Sequence, residues 1–327
     1  MIKRLTTFLI TVALILSISG CDLIFPKSSL YQIQTTGNGR TGKSSYTGTS
    51  TFDPSYYPYF HMLNQSARDA YCMIYDGLNS GQTNIKLSGG MSAKDVTDAF
   101  NMVLLDHPEL FWVRTDFNYS YVEVTGAVTS AQFNFYDFAS TPEKLAKAKK
   151  DFEAAASNII AGAKSYNTAV EKELYIHDAV NKLAEFDIKA KYSQSAYSAL
   201  VTHRSVCAGY ARAFQYLMQK SGIPCYYCAG TADGDAVAAT GGDDSSHSWN
   251  IVRTGHTYCN VDCMWDDSVS KAYGKPEYPF FNLSDKDFLF HTRTGQSVNL
   301  PSCSDTTQSY SSLFGKTVEA KDLIFKK

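Results

Sequence analysis

The stretch that most limits how this chain can fold is "HRSVCAGYARAFQYLMQKSGIPCYYCAG", residues 203–230. Tyr210, Phe214, Leu217 and Met218 fall at helical spacing, so a helix begins near Cys207; Ser205 can cap it, and Gly222 followed by Pro224 can end it. Beyond Pro224 the pattern switches to alternation. "IPCYYCAG", "HSWNIVRT" and "HTYCNVDCMW" read as strands, and the short turn "RTGHT" makes the last two a hairpin. A cysteine on the first turn of a helix is ordinarily a small buried apolar residue. It is also the place where a helix N-terminus favours a thiolate.

A thiolate nucleophile needs a base, and the base needs an orienting group. His247 opens the strand "HSWNIV" and Asp262 lies in the strand "YCNVDCMW". In the hairpin they become neighbours on one face, provided the register allows it. Tyr258 and Asn260 share the face of Asp262, and Cys259, Val261 and Cys263 point the other way. A helix packed on the His/Asp face would bring Cys207 to His247.

These residues, "SVCAGYARAFQYLMQKSGIPCYYCAG" with "HSWNIV" and "YCNVDCMWDD", resemble the transglutaminase-like core, a papain-like α+β fold. That pattern has a cysteine at a helix start, "GIP" leading into a strand, "H-x-W-N", and an aspartate just before "TWDD". Cys263-Met264 departs slightly from it. The likeness covers residues 141 to 292, with "DHPELFW" extending it more weakly into residues 60 to 140. It implies that Cys207 is the nucleophile, that His247 is the base and later the acid, and that Asp262 holds the imidazole tautomer. Backbone N–H groups near Cys207 would meet the oxyanion. Tyr197 is a candidate second donor, and Trp249 and Trp265 are candidate walls of a substrate pocket. The implied substrate is a protein or peptide, attacked at a glutamine side-chain amide or a peptide bond.

The first twenty residues, "MIKRLTTFLITVALILSISG", join a basic start to an apolar run too short for a comfortable membrane span. Small residues then precede Cys21, which resembles a bacterial lipoprotein signal cleaved before a lipid-bearing cysteine. The Ser/Thr/Gly-rich stretch up to residue 51 reads as a spacer. The expected order is a signal over 1–20, anchor and spacer over 21–53, an α/β region over 54–140, the catalytic core over 141–300 and an extension over 301–327. Such a protein is anchored in a cell membrane by lipid and faces the extracellular or periplasmic side. Net charge is −2, and losing Lys3 and Arg4 with the signal takes it to −4. That balance argues against a nucleic-acid partner.

Outside the cytoplasm disulfides can persist. Seven cysteines remain beside Cys21, an odd number, and Cys207 is the natural unpaired one; Cys72, Cys225, Cys228, Cys259, Cys263 and Cys303 are available for disulfides. "CYYC" with "CNVDC" also has the look of a zinc or redox motif, but a redox pair opens a helix whereas this one follows Pro224 into β-prone aromatics. Cysteines on strands splay to opposite faces, which suits disulfides to separate partners better than zinc. "DGD" at 233–235 with Asp243 and Asp244 lacks the full acidic pattern of a calcium loop and reads as solvated. No metal or cofactor is expected. The loop from Thr231 to Ser246 is expected to border the substrate cleft. His203, His256 and His291 have no evident partner and read as structural or exposed. Two functional classes stand: a cysteine enzyme of acyl chemistry, or a surface binding or assembly protein using the same fold with little chemistry. Sequence does not choose between transfer to an amine and hydrolysis.

Overall fold

A computed structural model describes residues 52–232 and 246–323. Cys21, the spacer and the acidic loop positions at 233–235, Asp243 and Asp244 lie outside the described residues. The described chain divides into two compact units, with the boundary between Ala146 and Lys147. It is a mixed α+β protein, and among the described residues no helix is long and apolar enough to cross a membrane.

In the first unit two helices, α2 (Gln65–Asn79) and α3 (Ala93–Asp106), follow a short α1 (Pro58–His61). A three-stranded antiparallel sheet accompanies them, in the order β1 (Asn84–Lys86), β3 (Ala127–Phe135), β2 (Val113–Val122). The start of α3 shows why its position is legible. Ser92 Oγ accepts from the Asp95 N–H while Asp95 accepts from the Ser92 N–H, a reciprocal cap. β2 runs as one strand through "VRTDFNYSYV", with a register shift between Val113 and Phe117. Phe100 of α3 packs on Phe117 and Phe133, fixing which sheet face is the core.

The second unit is built around α7 (Cys207–Lys220), after α4 (Pro142–Ala163, which begins before the boundary), α5 (Ala169–Leu183) and α6 (Ala196–Leu200). Residues 207–218 of α7 are all buried. Gly222, at φ 79°, stops it where a side chain would be strained. A four-stranded antiparallel sheet runs β8 (Thr257–Val261), β7 (Ser246–Thr254), β6 (Cys225–Ala232), β9 (His291–Arg293). Gly255 takes φ 64° in the two-residue β7–β8 turn, a conformation such hairpins require. Two short parallel strands, β4 (Glu185–Phe186) and β5 (Arg204–Ser205), brace the chain just before Cys207.

The sheet corrects three expectations. First, β8 ends at Val261, and Asp262 is the N-cap of α8 (Cys263–Tyr273), so neither Asp262 nor Cys263 belongs to a strand. Second, α7 is capped at Val206 without a side-chain hydrogen bond; Ser205 instead bonds the Ser198 hydroxyl and the Val206 carbonyl. Third, the body of α7 lies on the face opposite His247. Asn250, three residues along β7, donates from Nδ2 to the Ala211 carbonyl at 3.0 Å, and Arg212 sits over the Tyr227 ring on that same face.

Candidate active site

Cys207 arrives at the site as the first residue of α7. The local sequence explains the closeness of the packing there. A Cβ on Gly209 would overlap the Ser205 and Ser198 hydroxyls and come within 2.9 Å of the Ser193 carbonyl. Glycine at this position therefore lets α6 and the lead-in strand close on the helix start. Val206, the N-cap, makes no side-chain cap hydrogen bond, so its own side chain does not compete for the first-turn N–H groups beside the thiol.

His247 and Asp262 converge on the other sheet face. The register pairs Asn250 with Val261, so Asp262 follows next to Trp249 and lies diagonally from His247. His247 Nε2 is 2.5 Å from Asp262 Oδ2, with both side chains buried. The second carboxylate oxygen, Oδ1, accepts from the Trp265 N–H at 3.0 Å, which is the helix cap. One aspartate thus anchors the imidazole and is itself held by the start of α8.

Cys207 is hydrogen-bonded to the His247 side chain. Since Nε2 is occupied by Asp262, Nδ1 is the nitrogen left for the thiol. Burial opposes a charged imidazole here, but the Asp262 carboxylate and the Cys207 sulfur outweigh it and raise His247 well above its ordinary range. Burial likewise opposes the Asp262 carboxylate, yet His247 and then His291 hold it below the usual carboxylate range. Cys207, His247 and Asp262 form one hydrogen-bonded chain, almost wholly removed from water: Cys207 is 0% exposed.

The other candidates fall into two groups. Trp249 stacks on His247 and its Nε1–H donates to Asn260 Oδ1, while Trp265 lies 5.3 Å from His247. Both indoles are buried and wall the His/Asp pair. Tyr197, on α6, packs near Tyr192, and its hydroxyl feels Asp151 and Lys147 of α4. None of these neighbours is Cys207, His247 or Asp262.

The His291 side chain is buried and lies beside Asp262, unlike the exposed His203 and His256. Its Nε2 lies 3.1 Å from Asp262 Oδ2, the oxygen that also receives His247. The partner comes from β9, 29 residues beyond Asp262 and on the far side of β6, so no local pattern announces it. His247, Asp262 and His291 place their ligand-type atoms within 4.8 Å of one another. Donors of a tetrahedral zinc ion stand roughly 3.3 Å apart. The 2.5 Å between His247 and Asp262 is a hydrogen bond that an ion would have to pry open.

Among the described residues all seven cysteines are free thiols, against the expectation of disulfides. Cys225 and Cys228 lie on opposite faces of β6, and Cys259 is separated from Cys225 by β7. The four cysteines do not converge as zinc ligands would.

Residues 153–263 match the family model described as the transglutaminase-like superfamily. The matched segment contains the helix that begins at Cys207 and the strands that bring His247 to Asp262. Among solved structures, the chain is similar to a TGase, at 10% identity and TM-score 0.32, covering 42% of this chain and 41% of that one. It is also similar to the periplasmic domain of TgpA from Pseudomonas aeruginosa, at 12% identity and TM-score 0.30, covering 48% of this chain and 63% of that one. The chain spans less than two thirds of either structure. No curated protein matches it.

Proposed function

We propose that this protein is a membrane-anchored cysteine enzyme of acyl chemistry, acting on glutamine side-chain amides or peptide bonds of a protein or peptide, such as a cell-wall or surface protein. The observation that carries the proposal is the unbroken hydrogen-bonded chain from Cys207 through His247 to Asp262. The Cys207 thiolate attacks the amide carbon, and first-turn N–H groups of α7 receive the oxyanion. His247 gives its Nδ1 proton to the departing nitrogen, the C–N bond breaks, and a thioester remains on Cys207. An amine or water then attacks the thioester, His247 takes the incoming proton, and the thiolate leaves. Asp262 holds the imidazole tautomer throughout. A lipid on Cys21 ties the domain to the outer side of a membrane.

The experiment is incubation with a glutamine-containing peptide and a labelled amine, with products read by mass spectrometry and Cys207→Ala as the control. Amine incorporation identifies a transferase, and cleavage or deamidation identifies a hydrolase. Turnover equal in wild type and Cys207→Ala removes the proposal. One observation favours a second reading, a surface binding or assembly protein: the thiol is wholly buried. Absence of any product with the thiol resisting alkylation supports that alternative.

A further inference from the structure

His291 occupies a position that the acyl chemistry above leaves without a part. Its Nε2 faces Asp262 Oδ2 at 3.1 Å, and its Nδ1 faces the Leu289 carbonyl oxygen at 2.8 Å. Carboxylate and carbonyl oxygens only accept hydrogen bonds. The ring is therefore satisfied at both nitrogens only when it carries both protons. With one proton, a lone pair must face an oxygen. Phe288, Trp265, Trp249 and Phe280 enclose the ring with centroids 4.1–5.4 Å away. The titratable groups facing it are Asp262 and His247, whose ring is 5.2 Å off. The Arg293–Asp285 ion pair lines the same cavity of about 410 Å³.

We propose that His291 is a positioning residue: its Nε2–H keeps the Asp262 carboxylate turned to His247, and uptake of a second proton by His291 weakens the His247–Cys207 ion pair. This rests on the acyl-chemistry reading given above. Burial, and then the charge on His247, hold the protonation of His291 below the ordinary imidazole range despite its bond to Asp262. The second proton is consequently taken up on the acid side of neutrality. Once there, it places a second cation on Asp262 Oδ2 in competition with protonated His247. The thiolate loses its partner, and Cys207 becomes less reactive.

The test is the rate at which iodoacetamide alkylates Cys207, followed against pH in the full chain and needing no substrate. His291→Gln supplies an amide N–H near the Nε2 position but cannot titrate. His291→Phe fills the aromatic cage and supplies no donor. His291→Phe should slow alkylation at neutral pH roughly ten- to hundredfold, the size of one hydrogen bond to a charged group. His291→Gln should stay near wild type at neutral pH and keep its reactivity to lower pH. Coincident profiles for wild type and His291→Phe overturn the positioning role. So does a His291→Gln profile with the acid limb of wild type, which decides the matter alone if the Phe variant does not fold. A wild-type thiol that reacts only as an ordinary cysteine, with a pKa of about 8.5, overturns the acyl-chemistry reading and the positioning role together.

Discussion

The Asp262 carboxylate divides its two oxygens between His247, 2.5 Å from Oδ2, and the Trp265 N–H at the start of α8, 3.0 Å from Oδ1. Asp262→Asn separates the two tasks. The amide oxygen can still cap the helix, but an N–H₂ in place of Oδ2 presents a donor to His247 and favours the wrong tautomer. Turnover should fall by about three to four orders of magnitude, as in other triads. The melting temperature should move far less than for Asp262→Ala, which also removes the cap. Equal thermal losses in the two variants would show that the cap contributes nothing.

Cys207 differs from the other thiols in its partner rather than in its burial. Burial pushes Cys72 up to about 11 and Cys228 and Cys259 up to about 12, and it raises Cys263 and Cys225 well above the ordinary thiol range. Cys207 is equally buried but bonded to an imidazole that favours its charge. Iodoacetamide on native protein at pH 6 to 7 should modify Cys207 and leave those five untouched, by peptide mass spectrometry. Cys207→Ala should abolish this labelling and turnover while preserving the circular dichroism spectrum. Simultaneous labelling of all the thiols, only after unfolding, is the contrary result.

Gly209 connects sequence to site by what it omits. Any Cβ there meets the Ser205 and Ser198 hydroxyls and the Ser193 carbonyl. The hydroxyls can rotate away, but the backbone oxygen cannot. Gly209→Ala should cost about 1–3 kcal/mol of stability, the usual overpacking penalty. Because the strain falls two residues from the nucleophile, kcat should drop in protein still folded at assay temperature. A variant with wild-type kcat and melting temperature would mean that the lead-in accommodates a methyl group freely.

The parts of this architecture set by neighbouring residues are the parts a reader of the sequence can find. Ser92 with Asp95 announces α3, and "RTGHT" announces the β7–β8 turn that brings His247 toward Asp262. Asp262 is harder, because alternation in "YCNVDCMW" continues past the strand and hides a helix cap. β1 and β9 are three residues each and exist only through pairing with distant strands. His291 rides on the second of these. Its role depends on a β6 pairing that places Ala232 opposite it, a long-range fact with no periodicity to mark it.

The amino-terminal expectation has its own test. The run ending in "ISGC" predicts cleavage before Cys21 and lipid attachment there. Labelled fatty acid supplied to the source bacterium should enter the protein, and Cys21→Ala should lose the label and leave the membrane fraction. Unlabelled wild-type protein in the soluble fraction would remove the anchor from the proposal.

Glu173 supplies a test of the folded core that is independent of catalysis. It lies wholly buried on α5, where Oε2 accepts from Asn282 Nδ2 at 2.9 Å and Oε1 has no partner among the described residues. Burial raises its carboxyl to about 8, against the Asn282 bond and the nearby His177. In the unfolded chain a glutamate titrates near 4.3. Between those values the native state holds a proton that the unfolded state releases, so Glu173 makes stability fall as pH rises through the window. The slope from this one group is about 1.4 kcal/mol per pH unit at most. Glu173→Gln is neutral at every pH and keeps the shape. The stability curves of wild type and Glu173→Gln, measured by urea unfolding, should therefore run together in shape below about pH 4 and diverge as pH rises to 8, with the glutamine variant losing less. Curves that stay parallel from pH 4 to 8 would mean that Glu173 is ionised in the folded protein and that burial does not control it.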